Sequence, residues 1–138
     1  MRRKNETRRK GFTLVELLVV IVILSMLAGI VAPKFFGQIV QAKVKATKPK
    51  MAIVESAIEA FLINTGVYPD TLDELLVDPG LPGWAGPYLQ QKQLYDPWDR
   101  PFDYIPGGRT DGGPLLISYG DDGIQGGDGV NADIYNED

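Results

Sequence analysis

The chain has 138 residues with no cysteine and no histidine, and its 14 basic residues face 18 acidic ones for a net charge of −4. The missing cysteine excludes a disulfide framework and thiolate chemistry, and the missing histidine removes the commonest general base and transition-metal ligand. Six of the basic residues fall between positions 2 and 10, so the chain after residue 11 carries 8 basic and 17 acidic residues, and from Asn64 onward 3 and 14. That excess argues against nucleic acid as a partner and toward divalent cations or basic protein surfaces.

Arg2, Arg3, Lys4, Arg8, Arg9 and Lys10 precede the stretch Gly11-Phe12-Thr13-Leu14-Val15-Glu16, and the sixteen residues from Leu17 to Ala32 carry no charge. Phe12 to Pro33 is 22 residues, enough at about 1.5 Å per residue to cross a bilayer core. The basic head keeps the N-terminus cytoplasmic and puts the rest of the chain across the membrane. A secretory signal or a plain signal anchor shares this basic head and apolar body. A secretory signal, however, has its small-residue cleavage site after the body. Gly29-Ile30-Val31-Ala32 offers small residues there, but Pro33 follows directly, whereas Gly11 precedes the body. Glu16 is the discriminating residue. A carboxylate costs about 2.5–3.5 kcal/mol at the centre of a lipid-embedded helix and less near its edge, and no Lys, Arg or His follows within the run to pair with it. A cut after Gly11 creates a partner, the α-amino group of Phe12 on a neighbouring copy.

The order of glycine, aromatic, glutamate, apolar run and proline after a short basic leader resembles the class III signal of type IV pilins and type II secretion pseudopilins. The resemblance implies that a prepilin peptidase cuts between Gly11 and Phe12 and methylates Phe12. It also implies that Glu16 is required for subunit assembly, and that Pro33 marks a stretch able to bend or melt during packing. The expected organisation is a removed leader (1–11), a transmembrane and assembly helix (12–33) and a periplasmic domain (34–138). Within the last, the helix continues over 34–64, a loop region follows over 65–95, and a sheet with a cation loop occupies 96–138.

Along that helix Phe36, Ile39, Val40, Val44, Met51, Val54, Ile58, Phe61 and Leu62 recur at helical spacing. Lys43, Lys45, Lys48 and Lys50 form a basic patch, read as a solvated face near lipid headgroups or as a partner for acidic groups of neighbouring subunits. Pro33 predicts a kink, and Pro49 a second kink or a local break. Gly66 predicts the helix stop near Asn64-Thr65. Tyr68-Pro69 reads as a turn, after which Thr71 or Asp70 is expected to cap a short helix to about Val77, docking Leu72, Leu75 and Leu76 on the first helix. Residues 79–87 are rich in Pro and Gly and read as loop, with Trp84 and Tyr88 as anchors on the core. Phe102 to Ile105 and Leu115 to Tyr119 read as antiparallel strands joined by the turn over 106–113.

Trp84-Ala-Gly-Pro-Tyr-Leu and Asp96-Pro-Trp-Asp-Arg-Pro-Phe-Asp-Tyr are similar to the "GPYL … DPWGxPYxY" signature of the major pseudopilin family, protein G of the general secretion pathway. Asp99 stands where that family usually has glycine. The stretch from Ser118 to Ile134 holds five glycines, four aspartates, Ser118 and Asn131, an all-oxygen donor set of the kind Ca²⁺ takes in six- to eight-fold coordination. Its spacing is not that of an EF-hand, and on composition alone a solvated acidic loop fits equally. The family's "SxGxDGxxGG…DADI" loop implies one calcium ion clamping the C-terminal segment onto the sheet. Ser118 then matches the serine, Asp122 the aspartate before glycine, Asn131 the first aspartate of the final run and Asp133 the second. The backbone carbonyls of Ile117, Gln125 and Val130 are expected to complete the ligand set, with Asp121 and Asp128 outside it. Asn131 keeps an oxygen but loses a charge, which implies weaker affinity or reliance on Asp133.

The fold expected is therefore α+β and pilin-like: a long N-terminal helix on a small antiparallel sheet with a C-terminal calcium loop. The function the resemblance implies is a non-enzymatic subunit of a periplasmic pseudopilus in the type II secretion system. Its implied partners are itself, minor pseudopilins, an inner-membrane assembly platform and the prepilin peptidase, with the chain anchored once in the bacterial inner membrane. A pilin of a surface fibre and a membrane-anchored periplasmic binding module that never polymerises are the alternatives. Surface pilins usually staple their C-terminal region with a disulfide, and this chain has no cysteine.

Overall fold

Leu14 opens an α-helix, α1 (Leu14–Thr65), of 52 residues in the computed structural model, which describes residues 11–137. The basic leader and the last residue lie outside the described residues. The chain divides after Gly37 into two compact units. In the first, every side chain from 11 to 37 is exposed. A helix apolar on all sides has no soluble face to present and belongs in lipid or against other helices. Among the described residues α1 is the one helix long and apolar enough to cross a membrane.

In the second unit α1 changes character. Thr47, Met51, Val54, Ala57, Ile58 and Phe61 are buried, three and four residues apart, so one stripe of the helix faces the core. The local break expected at Pro49 is not found: the helix runs through it. The missing N–H orphans the carbonyl of Lys45, and both residues are exposed, so water can satisfy it, while buried Thr47 and Met51 on either side hold the backbone in place. The lysine patch also divides: Lys50 turns inward and donates to the carbonyls of Tyr95 at 2.9 Å and Asp96 at 3.4 Å. The helix stops where expected, with Gly66 at φ 83° donating to Leu62 O at 2.8 Å.

The helix expected to reach Val77 is only a 3-10 turn, Leu72–Leu75. Neither Thr71 nor Asp70 caps it; instead Glu74 reaches back, its carboxylate accepting from the Asp70 N–H at 3.2 Å. Leu72 and Leu75 are buried against α1 with Leu76 packed beside them. Trp84 and Tyr88 anchor the loop as expected. The Trp84 indole donates to Glu74 O at 2.9 Å, Asn64 donates to the Tyr88 hydroxyl at 3.0 Å, and the Tyr88 ring meets Phe61 and Trp84 edge-on at 5.7 and 5.8 Å.

The sheet has three strands, β1 (Asp103–Ile105), β2 (Leu115–Ser118) and β3 (Ile134–Tyr135), in the order β1-β2-β3. Both pairings are antiparallel, with Tyr104 opposite Leu116 and Ser118 opposite Ile134. The first hairpin was legible in the sequence; β3 was not. The central strand β2 is buried along its whole length, and Leu116 joins Phe102, Ile134, Met51, Val54, Ile58 and Phe61 in one core. Burying each such side chain contributes roughly 1.5–3 kcal/mol.

Candidate functional site

The head of α1 is the first site. Gly11 and Phe12 precede the helix, and Phe12 is 83% exposed. Thr13 and Glu16 then close a reciprocal cap: the Thr13 N–H donates to Glu16 Oε2 at 2.9 Å, and the Glu16 N–H donates to Thr13 Oγ1 at 3.2 Å. This pairing satisfies two of the four N–H groups that a helix start leaves without partners. The negative charge in the first turn also complements the helix dipole, worth about 0.3–1 kcal/mol. Glu16 therefore has a role inside its own chain that the sequence reading overlooked, although threonine with glutamate three residues later is a recognisable signal.

The second site is the acidic loop between β2 and β3. Its two arms are tied where the Asp121 N–H donates to Val130 O at 3.0 Å, and the first arm turns with the Gly123 N–H donating to Tyr119 O at 3.1 Å. Gly120 at φ 62° and Gly127 at φ 85° let the arms close. A Cβ on Gly120 would lie 2.9 Å from the carbonyls of Val130 and Ala132, and one on Gly127 would lie 2.7 Å from that of Asn131. Three consecutive carbonyls thus face glycine backbone on the inner side of the loop. Asp133 accepts at Oδ2 from the Gly126 N–H at 2.9 Å and the Tyr135 hydroxyl at 3.1 Å. Its Oδ1 is buried with no hydrogen-bond partner.

The remaining expected ligands are placed as follows. Asp122 is exposed, its carboxylate accepting from the Ile124 N–H at 3.1 Å. Asn131 is half-buried in a 3-10 turn, Gly129–Asn131, and Gln125 is exposed at the loop tip. Ile117 sits inside β2 between Asp103 and Tyr135. Ser118 is buried, and its hydroxyl donates to Asp96 Oδ2 at 2.8 Å. Just beyond it, the Tyr119 hydroxyl donates to Asp103 at 2.5 Å, a bond that pushes its pKa up to about 12 and keeps it a neutral donor.

Three residues outside the expected set build the floor of this loop. Asp96, 1% exposed, accepts at Oδ1 from the Trp98 N–H at 2.9 Å and the Arg100 N–H at 3.0 Å. The Trp98 indole donates to the Asp121 carboxylate at 2.7 Å. Arg100 donates through Nη1 to Gly120 O at 3.0 Å and through Nη2 to Asp121 O at 2.6 Å. The run Asp96-Pro-Trp-Asp-Arg-Pro carries the family resemblance, but nothing local to it says that its side chains turn toward a loop some twenty residues on.

These oxygens fit a hard divalent cation. Among the described residues no three carboxylates cluster closely enough to hold a metal by themselves. A cation here would need mixed ligands: carboxylates of Asp122 and Asp133, the Asn131 amide and backbone carbonyls, the mixture calcium accepts. The partnerless Asp133 Oδ1 is a feature such an ion would satisfy.

Comparison with known proteins bears on both sites. Residues 34–137 match the model of the family described as type II secretion system (T2SS), protein G, and residues 7–32 match the prokaryotic N-terminal methylation motif. The chain is 34% identical over 136 residues to the type II secretion system core protein G of Xanthomonas campestris, covering 96% of this chain and 93% of that one. It is 36% identical over 139 residues to the protein of the same name in Pseudomonas aeruginosa, covering 95% and 96%. To that of Vibrio cholerae it is 33% identical over 141 residues, covering 96% and 94%. With a pilin-like helix, a methylation motif at its head and a family match reaching through the acidic loop, the chain belongs to the protein G family of the type II secretion system.

Proposed function

We propose that this chain is the structural subunit of a periplasmic pseudopilus, cut between Gly11 and Phe12 by a prepilin peptidase, methylated on the new terminus and stacked with copies of itself through α1. The observation that carries this reading is the exposed apolar helix headed by Glu16, in a chain that matches the methylation motif and the protein G family. An apolar surface of this length gains from lipid before assembly and from neighbouring helices afterwards. The carboxylate of Glu16 then pairs with the amine of Phe12 on the next copy, an ionic bond strengthened by the low dielectric around it. Pro33, which leaves the carbonyl of Gly29 without its helical donor, gives the helix a place to yield during packing.

The role is structural: the subunit is anchored once in the inner membrane with its sheet domain in the periplasm. Its partners are further copies, minor pseudopilins and an inner-membrane assembly platform, in a system that exports folded proteins. The relatives, each named a type II secretion system core protein G, support that context.

The acidic loop of this subunit takes one calcium ion. Asp122, Asn131 and Asp133 supply side-chain oxygens, and Ile117, Gln125 and Val130 supply carbonyls; the Ser118 hydroxyl, whose hydrogen goes to Asp96, adds an oxygen lone pair. Bound there, the ion would join the two arms of the loop and so hold β3 on β2.

Intact mass of the protein extracted from its host membrane tests the main reading. The expected mass is that of a chain starting at methylated Phe12. A chain that keeps Met1 and forms no oligomer in the membrane would overturn it.

A further inference from the structure

We infer that Arg100 is a built-in cation of the acidic loop, a positioning residue that folds the loop's first arm before any metal ion arrives. The inference rests on the calcium reading for its effect on affinity, but on hydrogen bonds alone for its effect on the loop.

The guanidinium is planar and presents its donors as a fixed fork, so two acceptors at the right spacing are held without further ordering. Here the fork takes two successive carbonyls, Gly120 at 3.0 Å and Asp121 at 2.6 Å. The Asp121 side chain is held separately by the Trp98 indole at 2.7 Å, and the guanidinium lies 6.0 Å from the Trp98 ring centroid. Arg100 is itself fixed. Its N–H donates to buried Asp96, its carbonyl accepts from the Asp96 N–H at 2.7 Å, and Asp96 also accepts from Ser118 at the root of the loop. Gly123, at φ 69°, completes the fit, because a Cβ there would collide with the guanidinium. The carbonyls of Gly120 and Asp121 are thereby committed to protein, which leaves a cation the carbonyls of Ile117, Gln125 and Val130, the Asn131 amide and the carboxylates of Asp122 and Asp133.

Two effects of Arg100 on calcium affinity oppose each other. A fixed positive charge near a cation site repels the ion, so simple Coulomb reasoning says that removing it tightens binding. A preformed arm lowers the ordering cost of binding, so removing the residue that forms it weakens binding. With two short bonds to backbone on a buried support, ordering outweighs repulsion.

The test uses the full-length chain in detergent micelles, with Arg100→Gln and the charge-conserving Arg100→Lys. In chelator, amide exchange is read at Asp121 and Gly123, whose N–H groups donate to Val130 and Tyr119, with Leu116 in the central strand as the internal reference. The inference expects exchange at the two loop amides to rise about tenfold in Arg100→Gln and less in Arg100→Lys, with Leu116 unchanged. Unchanged loop exchange overturns it, as does an equal rise at Leu116. Calcium titration by calorimetry, with Trp98 emission as a second readout, is expected to show about tenfold weaker binding in Arg100→Gln; equal or tighter binding overturns the effect on affinity. If the unsubstituted chain binds no calcium, the calcium reading of the loop fails, and the exchange measurement still decides whether Arg100 holds the arm.

Discussion

Glu16 and Thr13 are bound to each other in both directions, the carboxylate accepting from the Thr13 N–H at 2.9 Å and the Thr13 hydroxyl accepting from the Glu16 N–H at 3.2 Å. The same carboxylate is the group that the assembly reading assigns to the neighbour's amine. A cap needs an acceptor oxygen, whereas an ion pair needs the charge. Glu16→Gln keeps the first and removes the second. Assembly, read by cross-linking in membranes, is expected to be lost in both Glu16→Gln and Glu16→Ala. Circular dichroism of the full chain in micelles should show added fraying only in Glu16→Ala. Wild-type levels of cross-linking in Glu16→Gln would reduce Glu16 to a helix cap.

Calcium removal gives the second prediction. An ion that binds the folded loop and not the unfolded chain stabilises by about 2.7 kcal/mol when its concentration is a hundred times Kd. In a small domain without disulfides, that is worth roughly 10 °C or more in Tm. Chelation is expected to lower Tm and to speed proteolysis within 120–135, with calcium reversing both and magnesium not. If both quantities stay fixed across a calcium titration, the clamp is absent.

Asp99 gives the third. It is the one non-glycine residue with positive φ among the described residues, at 61°, in the turn that carries Arg100. Aspartate tolerates this region better than most residues but still pays a steric cost, and glycine does not. Asp99→Gly is expected to stabilise by at most about 1 kcal/mol, part of the relief being offset by the freedom glycine gains when unfolded. Asp99→Val should destabilise by more than that, because a β-branched side chain is a true outlier there. Asp99→Asn keeps the tolerance without the charge and should leave Tm near its original value. The order Gly, then Asn with Asp, then Val in thermal unfolding checks the argument; a Val variant as stable as wild type refutes it.

What was legible in the sequence was whatever had a period or a punctuation mark. Buried Met51, Val54, Ile58 and Phe61 follow from helical spacing, the stop at Thr65 from Gly66, and the β1–β2 hairpin from two apolar runs around a glycine-rich turn. The strand β3 is two residues long, too short for any alternation, and exists because β2 offers it an edge. The helix expected after Thr71 shrank to one 3-10 turn because its leucines need only that much to reach the core. At the acidic loop the donor types were readable from composition, since only oxygen ligands are present. Arg100, Trp98 and Asp96 were not, because one arginine in a turn has no periodic partner and its contacts lie about twenty residues away.

The last prediction concerns a second hold on the C-terminus that needs no metal. Asn136 accepts at Oδ1 from the Leu116 N–H at 2.9 Å, and its amide donates to Glu55 Oε1 at 2.6 Å and to Pro114 O at 3.0 Å. Glu55 in turn meets Arg109 at 3.0 Å, so one asparagine joins the residue after β3 to the core strand and, through Glu55, to α1. Asn136→Ala leaves the Leu116 N–H without its acceptor, a loss of about 1–3 kcal/mol for a partly buried group. Asn136→Asp keeps that acceptor but sets a carboxylate against Glu55, so the added cost should be charge repulsion that Glu55→Gln relieves. Thermal unfolding with chelator present, on the two single variants and the Asn136→Asp/Glu55→Gln pair, separates these terms. The double variant is expected to be more stable than Asn136→Asp alone, and strictly additive effects would show that the Glu55 contact contributes nothing.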